Sequence, residues 1–110
     1  MTEAPILASV LSELAERIEA ALRTQGEGRI ADQVAGLRIT GPCTCGQTFC
    51  GSFQTLKRPL KRWFMRGRQI ELQDGGPGEI VIDVVRGEIA YVEVLHLDDV
   101  RDAVAQLVSG

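Results

Sequence analysis

The chain has 110 residues, 45% of them hydrophobic and 25% charged, with a net charge of −3. These are the values of a single globular domain spanning residues 1–110; they exclude a chain too polar to build a core and make a metal or disulfide unnecessary for bare stability. Charge is uneven: Lys57, Arg58, Lys61, Arg62, Arg66 and Arg68 form a +6 stripe with no acid between them, which leaves −9 on the remainder of the chain. Met1–Val10 lacks the basic start and apolar run of a secretory signal, and no stretch is long and apolar enough to cross a membrane. A cytoplasmic protein with no membrane partner is the expectation. Three cysteines, an odd number, then argue against a disulfide framework.

From Leu7, the positions Leu7, Val10, Leu11, Leu14, Ile18 and Leu22 predict one helix with a single apolar stripe. Thr2 is its expected N-cap, Pro5 falls in its first turn, Glu13–Arg17 and Glu19–Arg23 are favourable pairs, and Gly26 and Gly28 end it. Ile30, Val34 and Leu37 suit a shorter helix or a loop. Leu37–Thr40 reads as a strand stopped by Gly41 and Pro42; Phe49–Thr55 alternates with Phe49 and Phe53 on one side and Cys50, Ser52 and Gln54 on the other. Leu60, Trp63 and Phe64 fit a short helix or the start of a strand running through Ile70 and Leu72, and Asp74–Gly78 is a turn.

Glu79–Leu95 is the clearest β pattern, two Val/Ile-rich runs joined at Arg86-Gly87. A three-residue loop with Gly87 left-handed and a bulge spares Arg86 that conformation. It places Ile80, Ile82, Val84, Ala90, Val92 and Val94 on the core face, and sets Asp83 opposite Ile89 and Glu79 opposite Glu93. Val81, Val85, Ile89, Tyr91 and Leu95 then share the opposite face with Asp83 and Glu93 and form a candidate interface with a second copy; the alternative is that the segment from Gln54 to Gln73, with Trp63 and Phe64, folds over this face within one chain. Asp98 or Asp99 caps a last helix with the stripe Val100, Val104, Leu107 and Val108. The order predicts an α+β fold: a mainly antiparallel sheet with N-terminal and C-terminal helices packed on one face.

Cys43, Cys45 and Cys50 are the strongest chemical feature, with His96, the one histidine, as a fourth candidate zinc ligand. Thiolates about 3.8 Å apart on one metal require a bend around Cys43 and Cys45, which Pro42 and Gly46 supply. The spacing lacks a second knuckle, so buried structural cysteines and thiol redox chemistry stand beside metal binding. Strand parity places His96 on the core face beside the last helix, with no second group to orient it as a base. Around Trp63 and Phe64 the six cations combine phosphate-binding charge with stacking rings, or form the wet side of a helix whose aromatics face the core.

Cys43–Thr55 and Ile82–Leu95 together resemble small uncharacterised bacterial proteins, actinobacterial ones in particular. The resemblance implies a bacterial cytosolic α+β protein and carries no activity with it. No acid/base dyad or phosphate loop stands out, so the expectation is a noncatalytic interaction module, with the half-apolar sheet face or the basic stripe as its contact surface and zinc at the cysteine cluster as an optional stabiliser, whose partner is a protein or a second copy in a homodimer. A thiol oxidoreductase and a nucleic-acid-binding module are the alternatives.

Overall fold

Pro5 carries no N–H and holds the chain extended, so the polypeptide enters as an edge rather than as a helix. In the computed structural model, which describes residues 4–42, 51–55 and 67–109, Ile6 bridges Arg38, the Pro5 carbonyl accepts the Ile39 N–H at 2.9 Å, and Leu7 N–H donates to Leu37 O at 2.8 Å. The expected single helix is divided. Helix α1 (Leu7–Val10) ends at Leu11, whose φ of −136° and ψ of 62° are not helical, and α2 (Ser12–Thr24) follows. The break re-aims the first turn: Leu7 is fully buried, whereas Val10, expected in the stripe, is 41% exposed. Pro5 precedes the helix, and the Thr2 cap lies outside the described residues.

Within α2 the periodicity holds. Leu14, Ile18 and Leu22 point into the core, and each fully buried side chain of this size contributes roughly 1.5–3 kcal/mol. Gly26, at φ 83°, closes the helix in the paired pattern of a left-handed C-terminal cap: Gly26 N–H donates to Arg23 O and Glu27 N–H to Leu22 O. Ile30, Val34 and Leu37 are buried from a one-turn helix α3 (Gly28–Ala31) and a 3-10 turn at Val34–Gly36.

The sheet is antiparallel throughout its described strands: β1 (Gly41–Pro42), β2 (Phe53–Gln54), β3 (Arg68–Glu71), β4 (Glu79–Val85) and β5 (Glu88–Leu95), in the spatial order β1-β2-β5-β4-β3. The segment read as a strand over Leu37–Thr40 reaches the sheet only at its end, where Thr40 N–H donates to Gln54 O, and Gly41 and Pro42, expected to stop the strand, form β1 instead, with Pro42 tolerated because β1 is an edge. Helix α4 (Asp98–Ser109) starts at Asp98, so both acids sit inside its first turn rather than one of them before it, where the helix dipole favours negative charge. Val100 and Val104 join α1, α2 and the inner sheet residues Ile80, Ile82, Val92 and Val94 in one core, which makes this the expected α+β fold with both terminal helices on one face.

Side chains from the helical layer tie it to the sheet. Gln25 donates to Glu71 O and accepts the Gln73 N–H, both at 3.0 Å, occupying the outer edge where β3 ends. Arg17 does not serve the expected pair with Glu13. It donates to both Asp74 carboxylate oxygens, at 2.6 and 3.1 Å, and to Pro77 O at 2.7 Å, clamping the β3–β4 turn to α2. The guanidinium, helped by the Gly76 N–H, holds the Asp74 carboxyl down at about 2. Because the folded value lies below the ordinary one, this stabilisation is present above about pH 4 and fades as pH falls toward 2. Asp74→Asn is expected to cost about 0.5–1.5 kcal/mol near neutral pH, discounted for the partly exposed pair, and to flatten the acid limb of a melting-temperature profile. A variant whose acid limb matches the native one contradicts the clamp.

Candidate functional site

The β4–β5 hairpin decides which side chains reach each face of the sheet. Val85 pairs with Glu88, so the loop is the two residues Arg86 and Gly87, with φ of 54° and 81°. This replaces the expected three-residue loop: two left-handed residues match the twist of the flanking strands, at a cost of roughly 1–2 kcal/mol for a non-glycine residue. Val84 then pairs with Ile89 but Asp83 with Tyr91, leaving Ala90 as the extra residue of a bulge. Parity flips there. Ile89, expected on the interface, is 1% exposed in the core, and Ala90, expected in the core, is buried as expected but borders a recess with Asp83 and Val85 rather than joining the main core cluster. Beyond the bulge Glu79 faces Leu95 and Val81 faces Glu93, not the pairs expected.

The outer face is built in rows across the strands. Glu71, Val81 and Glu93 form one, and Gln69, Asp83, Tyr91 and Gln54 the next; Glu79 pairs with Leu95 at one end and Val85 with Glu88 at the other. Val81, Val85, Tyr91 and Leu95 are half-buried, and among the described elements every helix contributes its buried residues to the opposite, inner face.

Asp83 stands at the centre. It lines a recess of about 240 Å³ with Gly67, Gln69, Val85 and Ala90. The Gly67 backbone lies so close to the Val84 carbonyl that a Cβ would collide with it, so glycine forms this wall. Asp83 Oδ1 is buried with no hydrogen-bond partner among the described residues. Burial pushes the carboxyl up from its ordinary value, and a hydrogen bond from Gln69 opposes that rise.

The other expected sites are distributed as follows. Cys43, Cys45 and Cys50 lie outside the described residues, on the chain between β1 and β2; among the described residues no three His, Cys, Asp or Glu side chains gather to hold a metal. His96 is exposed rather than on the core face, because the strand ends at Leu95 and His96 turns left-handed at φ 62°. It borders a cleft of about 380 Å³ with Glu13, Arg17, Asp98 and Asp99. Lys57, Arg58, Lys61, Arg62 and Arg66 lie outside the described residues, and Arg68 is held by Glu27 through two hydrogen bonds of 2.5 and 2.9 Å. Thr55 and Gly67, which flank Lys57, Arg58, Lys61, Arg62 and Arg66 in the chain, both sit at the hairpin-loop end of the sheet: Thr55 N–H donates to Ala90 O, and Gly67 adjoins Val84. Sequence reasoning missed Asp83 as a site, because its setting depends on Gly67 and on the bulge; Arg86-Gly87 was the available signal for the loop.

Comparison with protein-family models, curated proteins and solved structures gave no match. Among the described residues no helix is long and apolar enough to cross a membrane.

An acid whose folded value is raised weakens the fold once it ionises: the penalty is absent well below its unfolded value, grows as pH rises toward the folded value and is complete above it. Asp83→Asn is therefore expected to raise the melting temperature near neutral pH and to leave it unchanged in acid. A loss of stability at neutral pH contradicts the burial argument.

Proposed function

We propose that this protein is a small cytoplasmic, noncatalytic interaction module that uses the outer face of its sheet as the contact surface. The observation that carries the reading is one-sidedness: the described helices all pack on the inner face, while the outer face presents Val81, Val85, Tyr91 and Leu95 half-buried between polar residues. A polar rim around apolar anchors, with an aromatic ring near the centre, is the composition of a protein contact. The resemblance of the Cys43–Thr55 segment to small bacterial proteins adds a bacterial setting and no chemistry.

The test places a photo-crosslinking residue at Val81 or Tyr91, and at exposed Glu16 on α2 as the comparison, in the full chain inside its host cell. One discrete product from both outer-face positions and none from Glu16, lost when Tyr91 or Val81 respectively is replaced by Asp without unfolding, supports the reading. Equal crosslinking from both faces, or none from the outer face, overturns it.

A further inference from the structure

We infer that the outer face takes a cationic protein surface, arginine or lysine side chains interspersed with apolar ones, and not the same face of a second copy. This rests on the interaction-module reading and specifies its partner. Strand parity puts Glu71, Glu79, Asp83, Glu88 and Glu93 on that face. Among the described residues the strands place no lysine or arginine there; Arg68 points to the helical side, where Glu27 holds it, and Arg86 sits in the loop at one end. Apolar residues and carboxylates alternate across it, with Val81 between Glu71 and Glu93.

A face of this composition selects its partner by charge. A two-fold contact repeats one patch on both sides, so stacking it on a second copy sets carboxylates against carboxylates while the valines meet. Like charges brought together in this way oppose association, whereas a partner with cations at matching spacing gains both the apolar contact and the charge attraction. Asp83 sharpens the preference. Its carboxyl is already partly withdrawn from water, with one oxygen lacking a partner among the described residues, so a cation over the recess stabilises its ionised form more than that of an exposed acid.

The experiment titrates the native full chain with a synthetic peptide of alternating arginine and valine, with an alternating glutamate–valine peptide as the comparison, while backbone amide shifts are followed. Binding of the arginine peptide is expected to move the amides of Val81, Asp83, Tyr91 and Glu93, to weaken as salt is raised, and to weaken roughly three- to tenfold in Glu71→Gln/Glu93→Gln. Both substitutions lie on the surface, and melting curves report whether the fold is kept; the shift map on the native chain stands if it is not. The glutamate peptide is expected to leave the shifts unmoved. Absence of binding at low salt, shifts confined to the helical side, or equal binding of both peptides overturns the inference. So does sedimentation showing that the native protein self-associates through this face. Should the outer face crosslink to a partner in cells while the arginine peptide fails, the interaction surface stands and the cationic partner falls.

Discussion

The hairpin bulge at Ala90 is the point on which both faces of the sheet depend. Without it, one parity along β5 would put Ala90 in the core and Ile89 outside; with it, the larger side chain goes inward. The difference of three carbons is worth roughly 2–2.5 kcal/mol at about 0.8 kcal/mol per buried methylene. That offsets the left-handed Arg86, provided the backbone groups disturbed by the bulge find partners. They do. Gln33 accepts the Ile89 N–H at 2.9 Å and donates to Gly87 O at 2.6 Å, the Thr55 hydroxyl donates to Ile89 O at 2.7 Å, and Thr55 N–H donates to Ala90 O at 3.1 Å. The bulge is thus held by one side chain from the helical layer and by Thr55 at the end of β2.

Gln33 and Gln25 do similar work at two edges of the sheet. Each uses one amide to serve a carbonyl and an N–H two residues apart along a strand, as a neighbouring strand would. Where β2 stops short along β5, Gln33 continues its role; where β3 reaches its outer end, Gln25 fills the edge. The helical layer therefore contributes more than an apolar lid. It adds hydrogen bonds at two edges of the sheet with two side chains that an amphipathic pattern alone would class as wet.

Features governed by local periodicity were legible in the sequence: the Leu14, Ile18 and Leu22 stripe, the two long strands, the Asp74–Gly78 turn and the acids at the start of the last helix. Those decided by distant partners were not. The break at Leu11 accompanies the docking of Pro5–Leu7 on Leu37–Ile39, and the bulge is held by Gln33 and Thr55, which lie far from Ala90 in the chain. His96 was misplaced because strand parity was carried one residue beyond the strand; its left-handed backbone reverses the chain into α4. Of the expected interface, Val81, Val85, Tyr91 and Leu95 keep their face, and Ile89 leaves it for the reason that fixes the core.

Valine and tyrosine on the solvent side of a sheet need no partner in themselves, since β-branched and aromatic residues favour strands wherever they lie. The charges set against them make the stronger argument. Glu71 and Glu93 flank Val81 across two interstrand spacings, about 9.5–10 Å, which is near the screening length at physiological salt, and Asp83 lies in the adjacent row. Acids gathered on one face repel one another, and partial burial raises the cost of ionising Asp83 further. Neither effect helps the monomer fold. Both are reduced when cations approach the face, so the arrangement that weakens the isolated chain is the one that strengthens a complex with a basic surface.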